Sequence, residues 1–257
     1  MGMNKSEVRG CEIEGALVEM RDEAQRVHLM RFFKTGKGEY GEGDEFLGLK
    51  VPLTRAVVKE ARGLVGLHEI EGLLYSPFHE VRLAGFLLIV EEMKLALPRK
   101  RDKLTESKAG RRKVLTDFYL KHARQTNNWD LVDLSCEYVL GYFLLYSEVP
   151  DYSILHRLAE SENLWEKRIA IVSTLTLIRN GIFGPTLEIA DKLLVDPHDL
   201  LQKAVGWMLR EIGKKDKEVL LDYLESNYCR MARTTLRYAI ERFEESERKY
   251  WLNRKPE

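Results

Sequence analysis

The chain has 257 residues, 44% apolar and 32% charged, with a formal net charge of zero. That composition suits a globular fold on the charged side of average and is long enough for one large domain, taken here as 1–257. The neutral balance excludes a global polybasic pull on nucleic acid, so any such site must arise from local segregation of charge.

Residues 12–34 read as one amphipathic helix, with Ile13, Leu17, Met20, Ala24, Val27 and Met30 at steps of three and four. A glycine-rich acidic loop follows at 35–44. Its Gly36-x-Gly38-x-x-Gly41 matches the dinucleotide fingerprint literally, but it follows a helix, lacks a βαβ frame, and carries Glu39, Glu42 and Asp44, which repel a pyrophosphate. Pro52 suits the first turn of a helix of about ten residues. Next come 67–75, then Ser76-Pro77 as cap and first position, then 78–95. The pattern of a short helix, a turn and a longer helix continues with 110–124, 129–146, 152–160, 163–180, 184–195, 198–213, 216–226, 230–242 and 244–252. No proline interrupts an apolar-periodic run, and no segment alternates as a strand would.

The longer helices resemble each other. Glu80-Val81-Arg82-Leu83-Ala84 matches Glu166-Lys167-Arg168-Ile169-Ala170 and, less closely, the segments around Lys203 and Arg237. Arg168, Lys203 and Arg237 stand 35 and 34 residues apart, and stepping back 35 from Arg168 reaches Asp133. A period of this size predicts an all-α superhelical solenoid of helical hairpins, whose equivalent positions line one concave face. That face is expected to be a cationic row (Arg82, Arg168, Lys203, Arg237) holding one carboxylate, Asp133.

Two local features point to chemistry. Between Arg99 and Arg124 lie ten Lys or Arg against three acids. Such a run is either a solvated helix face or a phosphate-binding one. Directly after it, in Asn128-Trp129-Asp130-Leu131-Val132-Asp133, the indole of Trp129 and the carboxylate of Asp133 are four residues apart and share a helical face. Arg168 is a candidate phosphate clamp. Trp207, one turn beyond Lys203, offers a second indole face to a cation. A carboxylate stabilises a sugar cation as its glycosidic bond breaks and orients the attacking water. Together these groups suit cleavage of an N-glycosidic bond in DNA. The bland alternatives are core tryptophans, with Trp165 read as core on its own apolar face, and a structural Asp133–Arg168 ion pair.

At these residues the chain resembles the AlkD-like DNA alkylation repair family. The segments that carry the resemblance are Phe46-Leu47-Gly48-Leu49-Lys50-Val51-Pro52, Trp129-Asp-Leu-Val-Asp133, Trp165-Glu-Lys-Arg168-Ile-Ala170 and Gln202-Lys-Ala-Val-Gly-Trp207-Met-Leu-Arg210, in matching order and spacing over nearly the whole chain. The resemblance implies HEAT-like repeats, no metal and no cofactor. It also implies release of cationic bases such as N3-methyladenine and N7-methylguanine from duplex DNA gripped by its backbone. Asp133, Trp129, Trp207 and Arg168 are then the catalytic residues, and the lesion stays unflipped while the indoles and carboxylate contact its deoxyribose. The chain departs from the pattern at Phe32, on the lesion-facing side, where a tyrosine is expected, and at Lys50, where a glutamine is expected. The loop 35–44 is an apparent insertion.

Lys50, Arg124, Lys203, Arg210 and Arg237 are the candidate DNA contacts; an ordinary solvated role is the alternative for Lys203, Arg210 and Arg237, and for Arg233. The six histidines form no ligand pair, the three cysteines (11, 136, 229) are scattered, and neither a signal peptide nor a membrane span is expected. The chain is therefore read as a cytoplasmic, nucleoid-associated monomer. The competing function is a non-catalytic HEAT-repeat scaffold for DNA or protein, against which the acid in the basic row argues.

Overall fold

A computed structural model describes residues 7–98 and 106–254. The fold is all-α, and among the described residues no strand forms; a single bridge links Glu45 to Phe78. The chain divides into two compact units, 1–135 and 136–257.

In the first unit the helices are α1 (Gly10–Glu19), α2 (Glu23–Phe32), α3 (Val51–Ala61), α4 (Leu67–Leu74), α5 (His79–Ala96), α6 (Glu106–Lys121) and α7 (Trp129–Asp133). The stretch 12–34 is two helices rather than one. Asp22 accepts a hydrogen bond from Gln25 N at 2.9 Å and starts α2 as its N-cap, an acidic signal that the apolar periodicity conceals. Ser76 does not cap α5. Phe78 is the N-cap residue, while Ser76 Oγ donates to Glu14 at 2.9 Å and accepts from Phe78 N. The core forms around α5, which is buried along most of its length, polar His79, Glu80 and Arg82 included.

In the second unit a π turn at Glu137–Gly141 precedes α8 (Tyr142–Leu145), α9 (Ser153–Ala159), α10 (Leu164–Val172), α11 (Leu175–Arg179), α12 (Gly184–Leu193), α13 (Asp199–Lys215), α14 (Lys217–Asn227), α15 (Arg233–Ala239) and α16 (Glu245–Asn253). Hydroxyl side chains break the expected helix 163–180. Ser173 and Thr174 donate to Ile169 O and Ile171 O, each at 2.6 Å, and compete with the helical ladder there. Ser135, donating to Leu131 O and Val132 O, ends the expected helix 129–146 in the same way. Gly206 lets α13 and α15 cross closely, since a Cβ there would stand 2.5 Å from Thr235 O. Trp165 is buried, as its apolar spacing predicts.

Among the described residues no helix is long and apolar enough to cross a membrane, and no three His, Cys, Asp or Glu side chains are grouped as metal ligands.

Candidate active site

Two of the sequence segments singled out above meet within the first unit. Phe46–Pro52 and Trp129–Asp133 line one apolar cavity of about 440 Å³, together with the end of α2 and the start of α5. Trp129 and Asp133 are both half-buried on its wall, one turn apart on α7. Asn128 starts α7, its side-chain oxygen accepting from Trp129 N at 2.9 Å.

A column of rings fixes the indole. Trp129 stacks on Phe33 with centroids 5.2 Å apart, Phe33 on Phe46 at 5.1 Å, and Phe46 on His79 at 4.3 Å. Phe32, which stands where the resemblance expects tyrosine, meets Trp129 edge-on at 5.9 Å and is 57% exposed.

Beneath the column lies a charge network that sequence reasoning missed. His79 is buried between two carboxylates, with Nδ1 2.8 Å from Asp44 and Nε2 2.9 Å from Asp130. Burial opposes the imidazolium, but the charges and hydrogen bonds of Asp130 and Asp44 outweigh it, and the His79 pKa is pushed up to about 9. Burial likewise opposes the Asp44 carboxylate, yet His79 and Arg82 hold its pKa below the ordinary value. Arg82 closes the network on Asp44 and donates to Ser76 O and Pro77 O at 2.8 and 3.0 Å. The neighbouring Glu80 carboxylate accepts three backbone N–H groups, from Leu47, Gly48 and Leu49, at 2.8 to 2.9 Å. That grip fixes the 46–50 loop and with it Lys50, the exposed N-cap residue of α3. The signal was present: polar His79, Glu80 and Arg82 open a helix otherwise apolar on every side, and buried polar groups of that kind require partners.

The acidic loop 35–44 is part of this scaffold. Glu39 and Glu42 accept from the N–H groups of Gly36 and Gly38 at 2.9 and 2.7 Å, while Asp44 turns inward. The glycine amides that a dinucleotide phosphate requires are thus occupied by the loop's own carboxylates.

The expected cationic row is not a uniform exposed stripe. Arg82 is 5% exposed and engaged as above; Arg168 is 6% exposed and donates to Leu200 O at 2.6 Å, tying α10 to the first turn of α13. Lys203 pairs with Asp199 at 2.6 Å, and Arg210 pairs with Glu241. Arg237 is exposed. Trp207 is half-buried on α13 and donates its indole N–H to Glu211 at 3.2 Å.

Of the basic run 99–124, Arg99, Lys100, Arg101 and Lys103 lie outside the described residues. Arg112 is buried and donates to Ala96 O, while Arg111, Lys113 and Lys121 pair with Glu92, Asp117 and Glu71 at 2.6 to 2.8 Å. Arg124 is exposed on a turn before α7. Among the described residues of the run, Arg111, Lys113 and Lys121 thus have their charge paired within the chain.

Comparison with known proteins fits these elements. No curated protein matches the chain. A solved structure described as a predicted DNA alkylation repair enzyme from Enterococcus faecalis is similar to it in fold, with a TM-score of 0.63 at 15% identity, covering 88% of this chain and 97% of that one. A family model for DNA alkylation repair enzymes matches residues 13–243. That match takes in both the cavity-lining segments of the first unit and the α10 and α13 segments of the second, and the chain belongs to the DNA alkylation repair enzyme family.

Proposed function

We propose that the protein is a DNA glycosylase that releases cationic alkylated purines, N3-methyladenine and N7-methylguanine, from duplex DNA. Its family supports a role in DNA repair. The observation that carries the finer reading is the half-buried Asp133 carboxylate beside the Trp129 indole on the wall of an aromatic cavity. An apolar wall leaves a carboxylate's field poorly screened, which is where stabilisation of a developing cation is strongest.

In this reading the bond between C1′ and the base nitrogen breaks, and its electron pair leaves with the purine. The base entered as a cation and departs neutral, so no general acid is required. Positive charge grows on the deoxyribose, where Asp133 stabilises it and the face of Trp129 adds a cation–π attraction of roughly 0.5–2 kcal/mol. Water oriented by Asp133 adds at C1′ through an oxygen lone pair and loses its proton to bulk solvent, leaving a neutral abasic sugar. Lys50, on the cavity wall, is the cation offered to phosphate. In the second unit, Trp207 offers another indole to the substrate. Arg168, through its bond to Leu200 O, positions the helix that carries Trp207.

The test is base release from methylated duplex DNA by wild type and Asp133→Asn side by side. Wild type is expected to liberate both bases, and the variant to lose most of that activity while still binding DNA. No release by wild type from heavily methylated DNA would leave a non-catalytic DNA-binding scaffold in its place.

A further inference from the structure

A tryptophan followed four places later by an acid occurs twice in the chain, as Trp129–Asp133 and as Trp207–Glu211. On a helix that spacing brings the two side chains onto one face. In the second pair the acid meets the edge of the ring: Trp207 Nε1 donates to Glu211 Oε1 at 3.2 Å, one turn along α13. The two indoles are fixed by different means. Trp129 stacks on Phe33, at the head of a column of rings, whereas among the described residues Trp207 has no ring neighbour. The backbone at Trp207 is anchored by the close crossing of α13 and α15 at Gly206. An indole has a single N–H, so the rotation of the ring rests on Glu211. That carboxylate is itself built in, its side chain only 15% exposed. Lys214 Nζ stands 2.5 Å from Oε2 and Arg210 Nε 3.7 Å from Oε1. Arg179, on α11, adds its field: burial opposes that guanidinium's charge, while Glu137 at 2.7 Å, Tyr138 and Glu211 together raise its pKa. Three cations thus hold the acid that holds the ring.

We infer that Glu211 is a positioning residue for base release, acting through Trp207. The inference rests on the glycosylase reading above, in which the Trp207 face meets positive charge growing on the lesion's sugar. Glu211 acts on that encounter in two ways. It stops the ring from turning its edge, which carries positive charge, toward the cation in place of its negative face. A carboxylate that accepts the N–H also polarises the indole and makes the face more negative, as linked hydrogen bonds polarise one another. Both effects pass through the indole N–H and vanish in a ring that lacks one. A surface ion pair with Lys214 alone would add little to stability and nothing to base release. The cation–π attraction of one indole is worth about 2- to 30-fold in rate, and that caps what Glu211 contributes.

The test is a double-mutant cycle on the full-length protein, read as single-turnover release of N7-methylguanine from methylated duplex DNA at saturating protein. Glu211→Leu removes both charge and acceptor. Glu211→Gln keeps an acceptor for the N–H without the charge, and carries the test if the leucine variant does not fold. Each is made in wild type and in Trp207→Phe, which keeps a ring but has no N–H. In wild type, Glu211→Leu is expected to slow release by roughly three- to tenfold, with Glu211→Gln in between and affinity for undamaged duplex retained. In Trp207→Phe, neither substitution is expected to slow release further. Equal slowing in both backgrounds would overturn the inference, because Glu211 would then act without the indole. So would a loss confined to DNA affinity, or wild-type release by the folded Glu211 variants; each of these leaves the glycosylase standing. Absence of any base release by wild type would overturn the glycosylase reading and the role of Glu211 with it.

Discussion

His79 Nε2 lies 2.9 Å from Asp130 Oδ2, so a buried imidazole on α5 grips the residue that follows Trp129 in the chain. Its other nitrogen holds Asp44 at 2.8 Å, at the end of the glycine-rich loop. One side chain thus fastens that loop and α7 to the central helix of the first unit. Asp130 and Asp133 share α7 but differ in exposure: the first is buried against His79, the second half-buried on the cavity wall.

This clamp makes the stability of the first unit pH-dependent. The His79 pKa is raised from 6.5 to about 9, so its contribution is complete below the unfolded value and is lost as pH climbs through the folded one. Asp44 acts oppositely: its lowered pKa gives stability above the ordinary carboxylate value that is lost in acid. The melting temperature should therefore fall between about pH 6.5 and 9, from a loss of roughly 3 kcal/mol. In His79→Gln that alkaline slope should flatten, at a lower overall stability. An unchanged slope in the variant would assign the alkaline loss elsewhere.

The 46–50 loop should be as sensitive as any core position. Glu80→Ala leaves the buried amides of Leu47, Gly48 and Leu49 without their acceptor, at about 1–3 kcal/mol for each unpaired group. Gly48 sits at φ +89°, and an added Cβ would stand 2.0 Å from Asp22 O, which is backbone and cannot move aside. Thermal melts of Glu80→Ala and Gly48→Ala should both drop well beyond the few degrees of a surface change. A Gly48→Ala protein with wild-type stability would contradict the close approach at Asp22.

These two devices mark where sequence reading succeeds and where it fails. Trp129 and Asp133 were legible because a helix turn alone brings them together, and the Phe46–Pro52 segment was legible as a motif. What that motif does was not: its amides meet a carboxylate more than thirty residues away, and no local pattern encodes such a pairing. Periodicity found the helices but ran through breaks at Asp22, Ser135 and Ser173, where a polar side chain, not an apolar gap, ends the ladder. The repeat register aligned Arg82 with Arg168. It assigned both to a solvent-facing row, because alignment gives equivalence of position and not burial; both guanidiniums lie inside, bonded to backbone carbonyls.

That correction divides the candidate DNA contacts. Each exposed cation that neutralises a phosphate releases a condensed counterion, steepening the salt dependence of binding by about 0.9 per contact on duplex DNA. Lys50 and Arg237 are exposed, and among the described residues neither makes an ion pair. Arg210 is held by Glu241 and Lys203 by Asp199, so a phosphate must first displace a carboxylate there. In a salt titration of duplex affinity, Lys50→Gln and Arg237→Gln should each lower the slope by close to one contact and weaken binding similarly across sequences. Arg210→Gln and Lys203→Gln should change it much less, since both cation and partner are already neutralised within the protein. If the four variants shift the slope equally, the internal pairs yield to phosphate and local pairing does not select the contacts. If none shifts it, DNA is held by other cations, and the Lys103 region of the basic run becomes the next segment to neutralise.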